Sequence, residues 1–177
     1  MSTERIDGDA AQPEERVDTD ADLEDLCAEI ADLADRGDLR IATAESLMAG
    51  NIAANLGRAP SAGRWFRGAV VAYAEEVKHD LLLVPEGPVV SEASARAMAA
   101  GVADLTGANL AVAVTGEAGP ETDEDVPAGT VWFGLADHGA VTAERVVFDG
   151  DPPEVLAATI EHSLRLLRDH GRERARS

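Results

Sequence analysis

The sequence predicts a layered α/β domain, a mixed β-sheet flanked by helices, and three observations point there. Short apolar runs alternate with longer Ala-rich segments whose apolar residues recur at helical spacing. One run, Asn109 to Thr115, is nearly all apolar, as a strand buried on both faces must be. Two later runs, Gly129 to Ala136 and Val141 to Phe148, flank the turn-forming Asp137-His138-Gly139 and read as an antiparallel pair.

Residues 1–19 are rich in Pro, Gly, Asp and Glu with almost no apolar anchor, the composition of a disordered acidic tail. The folded unit is expected over 20–170, with an Arg-rich tail over 171–177. Leu23, Leu26, Cys27, Ile30 and Leu33 recur at helical spacing until Gly37. A strand, Leu39 to Thr43, then turns through Ala44-Glu45-Ser46 into a helix over Leu47 to Leu56. Gly68 to Tyr73 is β-like, and Ala74 to Leu83 is helical with Val77, Leu81 and Leu82 on one side. Ser91 or Ser94 caps a helix running to about Thr106. The last helix, Pro152 to about Asp169, turns Val155, Ile160, Leu164 and Leu167 inward.

Charge narrows the function. With 34 Asp and Glu against 15 Lys and Arg in 177 residues, the formal net charge of −19 repels polyanions, so neither nucleic acid nor an acidic membrane is expected as a partner. The acid excess suits a protein kept soluble in concentrated, haloarchaeal-type salt; the near absence of lysine fits that setting or an arginine-biased codon usage. The single cysteine, Cys27, allows no intrachain disulfide and no Cys-based metal cluster. His79, His138, His162 and His170 lack metal-ligand spacing, and the acidic run Glu121 to Asp125 reads as a solvated loop, so no metal is expected. No signal-like or membrane-spanning apolar run occurs, which predicts a cytoplasmic protein.

Three places carry residues suited to chemistry. Lys78 is the only lysine and Tyr73 the only tyrosine, five residues apart; lysine, unlike arginine, can serve as a base near neutral pH. The bland alternative is a half-buried strand tyrosine and a solvated helix charge. Ser46 lies where a strand turns toward a helix, a position that exposes a hydroxyl beside backbone N–H groups, although the spacing alone favours a simple helix cap. Thr115-Gly116-Glu117-Ala118-Gly119-Pro120 follows the most apolar strand, at the end of an α/β sheet where ligands bind, or is simply a Gly-Pro turn.

In order and spacing, Thr43-Ala44-Glu45-Ser46, Phe66-Arg67-Gly68 with Tyr73 and Lys78, Pro88 to Ser91, Thr115-Gly116 with Ala118-Gly119-Pro120, Gly129-Thr130-Val131 and Phe148-Asp149-Gly150-Asp151 resemble the CinA C-terminal domain family over Asp20 to Asp169. That resemblance implies an amidohydrolase converting nicotinamide mononucleotide to nicotinic acid mononucleotide and ammonia, without metal or organic cofactor. It implies Ser46 as nucleophile, Lys78 and Tyr73 in proton transfer, and Glu45, Thr115, Gly116, Gly119 and Thr130 in substrate binding. It also implies a homodimer or higher homo-oligomer, to which Trp65, Phe66 and Trp132 are the bulky candidates.

The chain departs from the family pattern at Leu47-Met48-Ala49-Gly50 after the serine, at Glu75, at Glu117, at Glu121-Thr122 and at Pro152. Added carboxylates near a phosphate site repel a mononucleotide. A second reading, a divergent and catalytically inactive relative that binds a nucleotide or a protein as a regulator, therefore stands beside the enzyme. A DNA-uptake accessory lacks the basic patch it needs.

Overall fold

In the computed structural model, which describes residues 19–120 and 125–176, the chain runs α1 (Thr19–Gly37), β1 (Ile41–Glu45), α2 (Asn51–Arg58), α3 (Ala62–Trp65), β2 (Phe66–Val71), α4 (Glu75–Leu82), α5 (Glu92–Thr106), β3 (Leu110–Gly116), β4 (Thr130–Asp137), β5 (Ala140–Val147) and α6 (Pro152–Arg174). The strands form one mixed sheet in the order β2-β1-β3-β4-β5. β1 is parallel to both β2 and β3, whereas β4 is antiparallel to β3 and β5 to β4. Residues 1–18 of the expected N-terminal tail and most of the acidic run after Pro120 lie outside the described residues, and Thr19 already begins α1.

The two faces of the sheet differ in side-chain size. Ile41, Leu110, Val112 and Val114 point into a cluster with Ile30, Leu56, Phe133, Leu164 and Leu167, which draws α1, α2 and α6 onto that face. Ala42, Ala44, Ala111 and Ala113 point the other way, against Leu82, Met98 and Val102 of α4 and α5. Small residues there let α5 lie close to the sheet; a Cβ on Gly134 would come within 2.0 Å of the Ala95 carbonyl oxygen. β3 is buried on both faces, which is why its sequence is continuously apolar, while the edge strand β5 alternates exposed and half-buried residues.

Several boundaries differ from expectation. β1 ends at Glu45 rather than Thr43, and α2 starts at Asn51 rather than Leu47, because residues 46–50 form a turn closed by left-handed Ala49 (φ 51°) and Gly50 (φ 94°). α6 continues past Asp169 through most of the expected Arg-rich tail. Gly171 does not stop it: the residue is buried where a Cβ would touch Leu33 at 3.3 Å, so it permits close packing of α6 on α1. Arg172 then bonds Glu29 and Arg174 bonds Asp137.

Trp65 corrects another expectation. Its ring is 3% exposed and its indole N–H donates to the Pro60 carbonyl at 3.1 Å, so it belongs to the core and offers nothing to a partner. Cys27 is also buried; burial pushes its thiol up to about 11, with nearby Arg58 only partly opposing the shift, which leaves it unreactive at neutral pH. No helix among the described residues is long and apolar enough to cross a membrane.

Candidate active site

The carboxyl ends of the three parallel strands lie side by side, and a cleft of about 410 Å³ opens there. Each strand delivers at least one expected residue to its wall. Ser46 directly follows β1 and is anchored by its N–H to the Val114 carbonyl at 3.1 Å. Tyr73 follows β2, where the Ala72 N–H donates to the Glu45 carbonyl at 2.8 Å. Thr115 and Gly116 end β3, and Gly119 lies in the loop beyond. Lys78 reaches the same cleft from α4.

Burial separates their roles. Lys78 is 4% exposed and Ser46 is 8% exposed, whereas Tyr73 is 72% exposed and stands at the mouth. The helix-cap reading of Ser46 does not fit, since Gly50 occupies the cap of α2. Thr115 is buried and its hydroxyl donates to the Val89 carbonyl at 2.7 Å, tying the 88–91 loop to the cleft wall. That loop is held from its other side by Ser91, whose hydroxyl donates to the Pro88 carbonyl and accepts the Ser94 N–H; Ser91, not Ser94, caps α5.

Two residues expected to bind substrate lie elsewhere. Glu45 is fully buried behind the wall, and its carboxylate accepts the N–H groups of Gly50 (2.9 Å), Ile52 (3.1 Å) and Ala53 (2.7 Å) and the Thr43 hydroxyl (3.0 Å). Its carboxylate therefore satisfies the head amides of α2, whose N-cap position is Gly50. This arrangement also removes the head of α2 as an oxyanion site, because a resident carboxylate already fills it. Thr130 is fully buried off the cleft; its carbonyl accepts the Glu117 N–H at 2.9 Å, which supports the 116–119 loop from below. Gly116 is required at this contact, since a Cβ would come within 2.5 Å of that same carbonyl oxygen.

The cleft also carries residues that sequence reasoning did not assign to it. Leu47 and Leu156 supply apolar wall, the latter from the first turns of α6, more than a hundred residues away from Ser46. Glu75, noted in the sequence only as a departure, lines the cleft together with Lys78 and with Glu117 of the expected 115–120 segment. The 46–50 turn leaves the Leu47 N–H, directly after the serine, without a hydrogen bond among the described residues. Among the described residues no three His, Cys, Asp or Glu side chains gather as a metal site would require.

Comparison with known proteins agrees with this architecture. A CinA-like protein from Frankia casuarinae is 41% identical over 133 residues, covering 72% of this chain and 31% of its own length. The chain spans about a third of the length of the curated relatives it matches. The crystal structure of the competence damage-inducible protein A (ComA) from Klebsiella pneumoniae superposes with a TM-score of 0.78 at 36% identity, covering 83% of this chain and 95% of that one. A CinA superfamily protein from Escherichia coli superposes with a TM-score of 0.78 at 31% identity, covering 89% and 95%. Residues 23–170, from the first turns of α1 to near the end of α6, match the CinA C-terminal domain, and the chain belongs to that family.

Proposed function

We propose that this domain is an amidohydrolase that converts the carboxamide of nicotinamide mononucleotide to the carboxylate and releases ammonia. The observation that carries the reading is that Ser46, Tyr73 and Lys78, supplied by a strand end, a loop and a helix, line one cleft. A hydroxyl nucleophile, a lysine beside it and a phenol at the mouth are the parts that acyl transfer needs. Lys78, as the neutral amine, takes the Ser46 proton directly or through Tyr73, and Ser46 Oγ attacks the carboxamide carbon. The Leu47 N–H, directly after the serine, is the donor assigned to the oxyanion in this reading. The C–N bond breaks as Lys78 or Tyr73 returns the proton to the leaving nitrogen, and water then opens the acyl-serine.

The second reading, a nucleotide-binding relative without activity, is favoured by one observation: Glu75 and Glu117 share the cleft with Lys78. Incubating the purified protein with nicotinamide mononucleotide in molar salt separates the two. The enzyme releases ammonia stoichiometric with nicotinic acid mononucleotide, and Ser46→Ala loses at least about a thousandfold in rate. Binding of the nucleotide without ammonia release would replace the enzyme by the binder.

A further inference from the structure

The charge on the cleft carries an inference about which ligand it accepts, resting on the amidohydrolase reading of the same site. Among the described residues on its wall, Glu75 and Glu117 are the carboxylates, Lys78 is the one basic side chain, and there is no arginine or histidine. Three neighbouring helix heads each carry carboxylates of their own. The head of α2 holds the Glu45 carboxylate. The head of α6 is closed by its own capping box, in which Asp151 accepts the Glu154 N–H at 3.0 Å and Glu154 accepts the Asp151 N–H at 2.8 Å. The first turn of α4 carries Glu75 and Glu76 themselves.

Nicotinamide mononucleotide bears a cationic ring and an anionic phosphate, so these carboxylates attract one end and repel the other. Glu75, Glu117 and a bound phosphate share one cleft, so their repulsion is strongest in dilute salt, where the Debye length is about 10 Å at 0.1 M, and is weakened in concentrated salt, where it is roughly 3 Å at 1 M. Lys78 offsets at most one of the two charges. We propose that Glu75 and Glu117 make the cleft a salt-dependent charge filter, which takes a phosphate-free pyridinium nucleoside in dilute salt and accepts the mononucleotide only in concentrated salt.

The test measures binding with turnover removed. Calorimetric Kd values of the Ser46→Ala protein are obtained for nicotinamide riboside and nicotinamide mononucleotide at about 0.1 M and 2 M potassium chloride. The expected result is riboside bound at least about tenfold more tightly at 0.1 M, with that preference falling to about twofold or less at 2 M. Adding Glu75→Gln and Glu117→Gln should remove the salt dependence of the ratio. Glu75→Gln alone, at an exposed position, should remove a measurable part of it without risk to the fold. A ratio that stays constant between the two salts, one that the glutamine variants leave unchanged, or absence of binding by both ligands would overturn the proposal. The amidohydrolase reading fails separately, if the Ser46→Ala protein binds these ligands while the wild-type protein releases no ammonia from either.

Discussion

Asp137 ends β4 with its carboxylate facing three donors: Arg174 Nε at 3.0 Å, His138 Nδ1 at 2.8 Å and His170 Nδ1 at 3.2 Å. Burial pushes its carboxyl up, but the hydrogen bonds from Arg174, His138 and His170 outweigh that and hold it below the ordinary value. A carboxyl lowered in the folded state stabilises the fold above its unfolded pKa of about 3.9, and that contribution disappears as the pH falls through the folded value. Asp137→Asn should therefore lower the denaturation midpoint at pH 7, and its deficit relative to wild type should shrink in titrations taken below pH 3. A deficit equal at both pH values would mean that packing, not charge, holds the end of α6. Single residues were legible where their chemistry was singular. Lys78 and Tyr73 are unique in the chain, and Ser46 marks the end of a strand, so their convergence was readable before the fold. Glu45 looked like part of the same site, and only the path of the next eight residues shows that its carboxylate turns away from it.

At the scale of elements, the turn between β1 and α2 holds the serine in place. Glu45 satisfies three amides of that turn and helix head from a site with no solvent exposure, so removing one of its two acceptor oxygens leaves buried N–H groups without partners. Glu45→Gln should cost about 2–4 kcal/mol in urea denaturation and should reduce amidase turnover as well, since Ser46 is its neighbour. Unchanged stability would show that water or a shifted turn replaces the carboxylate. Elements with a strong local signal were read correctly: β3 from its apolar run, and the β4–β5 hairpin from Asp137-His138-Gly139, where His138 and Gly139 take φ of 49° and 87°. The start of α2 was misplaced because the Ala-rich stretch after Ser46 has high helix propensity, while the tertiary bonds to Glu45 hold it as a turn. The end of α6 was misplaced because the Arg-rich run after Asp169 reads as a tail, whereas Gly171 packs against α1 and the helix continues to Arg174.

Across the whole molecule, a formal charge of −19 on 177 residues makes carboxylate repulsion a strong destabilising force that salt can weaken. The melting temperature should rise from dilute to molar potassium chloride as that repulsion is screened, and a steady fall would refute a salt-adapted surface. The same screening is what opens the cleft to a phosphate, so stability and ligand choice should respond to salt together. Whether Ser46 and Lys78 act as one catalytic unit is read from a double-mutant cycle of kcat/KM for ammonia release from nicotinamide mononucleotide. The cycle compares wild type, Ser46→Ala, Lys78→Arg and the double variant. Arginine keeps the positive charge and cannot act as a base. Each single change should lower kcat/KM by at least about a thousandfold, and the double variant should be no more than a few-fold worse than either. Retention of most of the rate by Lys78→Arg, or losses that multiply in the double variant, would contradict the account.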